Sequence, residues 1–122
     1  MAKKKENKKT GIIPVIIKKH SDKNGGHHHV IMGNIDNKHV SVGLTTKETK
    51  GKNSAHKNYR CEINPLGGKE ISYLRKQGTV DNKSRYNKEK RGAMAPKDYA
   101  KAKEIADKAK NKYINKKNSK KK

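Results

Sequence analysis

Apolar residues in this chain come in short bursts, and their spacing changes once, near Pro96. Before Pro96 the bursts have the two-residue period of strands. "GIIPVIIKKH" is rich in β-branched residues and predicts a strand, with Pro14 marking an edge or a strand start. "SDKNGG" predicts a loop and "HHHVIMGNI" a second strand. "NIDNK" predicts a tight turn centred on Asp36 and Asn37. In "HVSVGLTT" Val40, Val42 and Leu44 share one face while Ser41, Gly43 and Thr45 share the other, so the second and third strands form a hairpin. "KETKGKNSAHKN" has no apolar period and reads as a long polar loop. "YRCEI" and "EISYLRKQGTV" predict strands joined by the turn "NPLGGK", and "DNKSRYNKEKRGAM" is polar and irregular, with room for a short helical turn. After Pro96 the period becomes three to four: Tyr99, Ala102, Ile105 or Ala106, Ala109 and Tyr113 mark one helix face. Pro96 suits the first helical position, Asp98 the positive N-terminal end, and lysines 108, 110 and 112 the C-terminal end. The expected fold is mainly β: about five short strands in a small barrel-like sheet with a C-terminal helix packed on it.

Composition sharpens this picture at the ends. The chain has 122 residues, enough for one small domain, with 29% hydrophobic residues and neither Phe nor Trp. Residues 1–10 hold five lysines and one acid, and residues 111–122 hold six lysines and no acid. Residues 1–10 and 116–122 therefore read as solvated basic arms around a domain over 11–115. Lys and Arg number 33 against 11 Asp and Glu, a formal net charge of +22. Nucleic acid is the leading partner for such a charge, because lysines that replace counterions on phosphates release them. An anionic membrane surface is second, but no apolar run is long enough to span a bilayer, and "GIIPVII" is too short, and interrupted by Pro14, to be a signal sequence. Cys61 is the only cysteine and forms no internal disulfide, which fits a cytoplasmic protein.

The residues with chemistry cluster around "NGGHHHVIMGN". On a strand His28 points away from the face of His27 and His29, so the three cannot converge on one metal. His20, His39 and His56 lack ligand spacing, and no metal or other cofactor is expected. Histidine is suited to acid–base work, and cleavage of an RNA phosphodiester needs a base, an acid and positive charge, all available from His, Lys and Arg. "GLTTK" ends a strand with Thr45, Thr46 and Lys47, two hydroxyls and an ammonium able to hold a phosphate oxygen. No phosphate-binding glycine loop or serine nucleophile elbow is present. Tyr73, Tyr99 and Tyr113 occupy positions that packing explains better than base stacking.

In this order the elements resemble the PemK/MazF family of toxin endoribonucleases. "HHVIMGN" resembles the family's "RPVLVI", "HVSVGLTTK" its "VIVAPLTSK", and "QGTVDNKSRY" followed by a helix its "EQIRTVDKSRL" followed by a helix. The three blocks span roughly residues 11 to 115. The resemblance implies an SH3-like barrel and a homodimer. It also implies metal-independent cleavage of single-stranded RNA, by attack of the 2′-hydroxyl on the adjacent phosphate, and inhibition by an acidic antitoxin protein. The family's catalytic Thr carries over to Thr45 and its Arg position to His28. His29 stands for the family's Pro, and Gly78 for the Arg of its third block.

The resulting expectation is a toxin-like endoribonuclease with Thr45 as the stabilising hydroxyl and His28 as general acid or base. His29, Thr46, Lys47, Gln77 and Arg85 are expected at the RNA, with Arg75 or Arg85 replacing the family's missing charge. Lys50 and Lys52 lie in the loop from Glu48 to Asn58, which would select the RNA sequence. The alternative is a noncatalytic basic barrel that binds RNA or DNA, and a third reading is a basic protein for ribosomes or an acidic partner.

Overall fold

The computed structural model describes residues 11–21, 27–50 and 53–120, with the side chains of 49–56 and 119–120 left aside. The expected N-terminal arm, 1–10, lies outside the described residues, as do Lys52 and the end of the C-terminal tail, 121–122.

The described residues form eight strands and one helix: β1 (Ile13–His20), β2 (His27–Ile35), β3 (Lys38–Thr45), β4 (Thr49–Lys50), β5 (Asn53–Lys57), β6 (Tyr59–Arg60), β7 (Tyr73–Asn82), β8 (Tyr86–Met94) and α1 (Pro96–Lys120). A single 3-10 turn, Lys83–Arg85, joins β7 to β8. Six strands make one antiparallel sheet in the order β6-β7-β3-β2-β1-β8, and β4 pairs with β5 as a separate short ribbon. No ladder joins β6 or β7 to β8 among the described residues, so the hydrogen-bonded sheet is open.

The expected hairpin is present. Asp36 and Asn37 have φ of 50° and 61°, the left-handed pair that a two-residue turn between right-twisted strands requires. The polar stretch after β7 forms more strand than its sequence predicts, because β8 gains a full partner in β1, from Ile13 opposite Met94 to His20 opposite Tyr86. Its exposed run Asn87–Arg91 lies on an outer strand, where charged side chains discourage pairing with another chain. Conversely, the "YRCEI" strand shortens to Tyr59–Arg60. The helix continues to Lys120, past the expected start of the tail.

Val40, Val42 and Leu44 face a core shared with Ile17, Val30, Leu74 and Met94. α1 covers this face with Ala102, Ile105 and Ala106. Close approach explains Gly78: a Cβ there would lie 3.0 Å from Ala109 Cβ and 3.1 Å from the Ser41 carbonyl oxygen. Asp98, fully buried near the start of α1, accepts hydrogen bonds from the Tyr59 hydroxyl (3.1 Å) and from the Glu62 (2.8 Å) and Ile63 (3.4 Å) amides. It thus ties the segment after β6 to the helix. Burial and this carboxylate push the Tyr59 hydroxyl up to about 12.

The opposite side of the sheet curls on itself. His20 of β1 contacts Asp81 of β7 at 2.9 Å although β2 and β3 lie between them in the strand order. The Ser21 amide also donates to the Arg85 carbonyl at 2.9 Å.

Candidate nucleic-acid interface

Strand alternation sets the site. His39, Ser41, Gly43 and Thr45 point away from the α1 core, because Val40, Val42 and Leu44 point into it. The neighbouring strand then inserts a bulge. Val42 pairs with Gly78 but Leu44 pairs with Leu74, so four steps of β7 cover two steps of β3. The extra residues carry Arg75 across Gly43. A Cβ at Gly43 would lie 2.9 Å from Arg75 Cδ, 3.3 Å from Arg75 Nε and 3.3 Å from His29 Nε2. The glycine is what leaves room for the guanidinium arm between β3 and His29. Arg75 Nε is buried and has no hydrogen-bond partner among the described residues.

Thr45 pairs with Tyr73, and Tyr73 with Arg60. Since Leu74 is in the core, Tyr73 and Arg75 share Thr45's face. Directly paired side chains sit about 5 Å apart at Cβ. The face therefore presents Arg60, Tyr73, Thr45 and Arg75 as one continuous group, with Arg60 exposed and the other three half-buried. Thr45 Oγ1 accepts from the Lys47 amide at 3.2 Å, which fixes the hydroxyl at the strand end.

Beneath this group lies a buried polar network. His29 Nδ1 lies 3.0 Å from Ser41 Oγ, and Ser41 Oγ lies 2.9 Å from the Tyr86 hydroxyl. The Tyr86 ring packs against His20 and His39, with centroids 4.6 and 5.0 Å apart. The Lys18 ammonium donates to His39 Nε2 at 3.3 Å, so His39 carries its proton on Nδ1 and donates it to Asn34 Oδ1 at 2.6 Å. Burial, then Lys18 and Lys83, hold His39 below the ordinary imidazole value, with Glu89 in weak opposition. Burial raises the Asp81 carboxyl, but the His20 hydrogen bond, the Asn82 amide and Arg85 outweigh it and leave it below its usual range.

The remaining expected residues are dispersed. His28 faces away from His29 and Thr45; it pairs with Lys19 on β1. Burial, then Lys90, Lys19 and His27, depress its pKa. His28 and Thr45 are thus on opposite faces and are not brought together. His29 is on Thr45's side but only 4% exposed. Arg85 is committed to the β7–β8 corner, with Nε 3.2 Å from Asp81 and a terminal nitrogen donating to the Ser21 carbonyl at 2.8 Å. Gln77 is exposed and lines a groove between β7 and α1. Thr46 and Lys47 are exposed at the start of the β4–β5 arm. Asn58 fastens that arm: its side chain donates to the Lys47 carbonyl (3.1 Å) and accepts from the Lys76 amide (3.2 Å). Lys50 contributes its backbone to β4.

Arg60 carries no expectation from the sequence, and Tyr73, expected to pack, stands half-buried on the outward face beside it. Alternation in "SYLRK" was a usable signal, since a core Leu74 forces Tyr73 and Arg75 to the other side. The pairing of Arg60 with Tyr73 had no local signal. Among the described residues, no group of three or more His, Cys, Asp or Glu side chains is placed to hold a metal. No helix among them is long and apolar enough to cross a membrane.

No family model matches the chain, and neither any curated protein nor any solved structure does.

Proposed function

We propose that the protein binds single-stranded RNA across the face of Arg60, Tyr73, Thr45 and Arg75 and cleaves it without a metal. The observation that carries this reading is Arg75 laid over Gly43, two residues along β3 from Thr45. The PemK/MazF resemblance implies an Arg and a Thr at the reacting phosphate. Thr45 keeps its place in that scheme, and Arg75 supplies the cation that His28 does not. In the proposed reaction the 2′-oxygen attacks phosphorus and the bond to the 5′-oxygen breaks. A cyclic phosphate and a free 5′-hydroxyl result, with one proton leaving the 2′-hydroxyl and one reaching the 5′-oxygen. Arg75 and the Thr45 hydroxyl stabilise the charge that grows on the non-bridging oxygens. Tyr73 offers a ring for a base, and Arg60 a further phosphate contact. The curl that brings His20 to Asp81 supports the SH3-like barrel of the same proposal.

One observation favours the second reading, RNA binding without chemistry. His29 is buried and His28 is on the far face, so no exposed imidazole stands beside Thr45 among the described residues.

Incubation with long single-stranded RNA in EDTA separates the two. Cleavage at discrete sites, slowed about 100-fold by Thr45→Val and by Arg75→Ala but only a few-fold by His28→Ala, supports the enzyme. Intact RNA held in a salt-sensitive complex that Arg75→Ala weakens supports binding alone. Cleavage lost in His28→Ala and kept in Thr45→Val sinks the proposed site.

A further inference from the structure

Away from that face, β7 and α1 flank a groove of about 390 Å³, the size of a small-molecule site. Its floor is aliphatic: Val80 on the strand, Ile105 and Ala109 on the helix, and Gly78 without a side chain. These residues are buried or half-buried. Its rim is cationic and exposed, with Lys76 on the strand and Lys108, Lys112 and Lys116 on the helix. No carboxylate lines the groove among the described residues. Lys108 pairs with Glu104 at 3.6 Å on the same helix, whereas Lys112 and Lys116 make no ion pair among the described residues. They stand four residues apart, a rise of about 6 Å along α1, so one anion between them can meet both ammonium groups.

We infer that this groove binds a small anionic amphiphile, a single alkyl chain ending in a carboxylate or a phosphate. The chain lies on the floor, and the head group sits at Lys112 and Lys116. Each half of the ligand answers one half of the groove. A free inorganic anion would meet the lysines but leave the aliphatic floor in water. An uncharged chain would cover the floor and leave the cations without a partner. A flat bilayer surface cannot reach a floor recessed between a strand and a helix. RNA fits less well, because its bases bind on ring faces or guanidinium planes. Tyr113 is the one aromatic ring lining the groove among the described residues, and its hydroxyl is held by Asp36 at 3.1 Å. The inference does not depend on any RNA cleavage.

The test is calorimetric titration of the full chain with butanoate, hexanoate, octanoate and decanoate, each below its micelle-forming concentration. Affinity is expected to rise along the series, on the order of fourfold for each methylene that leaves water. Octanol is expected to bind at least tenfold more weakly than octanoate. A parallel titration with octyl phosphate tells which head group is preferred. Lys112→Gln combined with Lys116→Gln is expected to bring octanoate down to octanol. The same change at Lys88 and Lys103, on β8 and on the opposite side of α1, is expected to leave the difference. Ala109→Leu fills the floor and is expected to stop the rise at the short acids. Circular dichroism checks that the variants keep the fold; if Ala109→Leu does not, the lysine pair decides. A flat series, octanol equal to octanoate, or equal loss in both lysine variants overturns the proposal. An oligonucleotide whose binding is lost only in the Lys112 and Lys116 variant, with a flat acid series, assigns the groove to RNA and overturns it too.

Discussion

Arg75 crosses the backbone of Gly43 so closely that a methyl group there would sit 2.9 Å from its Cδ. Gly43→Ala is therefore expected to displace the guanidinium while leaving the strand in place. RNA affinity or cleavage should fall about as far as in Arg75→Ala, with a stability change of about 1 kcal/mol, read from urea unfolding of both variants. Unchanged RNA handling in Gly43→Ala would show that Arg75's place over the glycine has no functional weight.

His39 gives the fold a direction of pH dependence. Its pKa in the folded protein lies below the ordinary value, through burial first and Lys18 and Lys83 next. The unfolded chain takes up the proton at about 6.5. Above that value the contribution is fully present; as pH falls through it, the unfolded state binds more protons and stability declines. His28 adds in the same direction. The urea midpoint should thus fall between neutral and mildly acid pH, and His39→Gln should flatten that slope without abolishing it. A midpoint that rises on acidification contradicts this.

Asp98 serves three donors from a fully buried position. Asp98→Ala leaves the Tyr59 hydroxyl and two amides unserved and should cost about 3 kcal/mol, measured as a lower urea midpoint. Asp98→Asn keeps one acceptor oxygen and should cost less. Similar losses in the two variants would mean that packing, not hydrogen bonding, sets the cost.

Cys61 is 5% exposed, and burial, with Asp98 behind it, pushes its thiol up to about 12. Iodoacetamide near neutral pH should leave it unmodified in the native protein and alkylate it in urea, because the thiolate is the nucleophile. Mass spectrometry showing rapid native modification would place the thiol in solvent.

Gly92 lies under Ile17, and a Cβ there would meet the Pro65 carbonyl oxygen at 2.5 Å, beside the bond from the Ala93 amide to that oxygen (3.2 Å). Gly92→Ala must move backbone rather than a flexible side chain. It should lower the thermal midpoint more than Gly43→Ala, where a long arginine can yield.

The local part of the fold is written in the sequence. Period-two bursts located β1, β2, β3 and β7, the Asp36–Asn37 pair located the hairpin turn, and the spacing after Pro96 located α1, because each depends on neighbours a few residues apart. It also separated the faces of β3, so the outward place of Gly43 and Thr45 was legible. Which strands pair, and in what register, is set by contacts between distant segments. β8 is polar along its exposed middle, and its strand character comes from pairing with β1. The bulge opposite Gly43 has no motif of its own; it follows from fitting β7 against β3 while α1 presses on Gly78. That register brings Arg75, Tyr73 and Arg60 to Thr45, and strand alternation keeps His28 away from them. Residues far apart in the chain meet only where long-range hydrogen-bond ladders and the shared core fix them, and no local pattern encodes that choice.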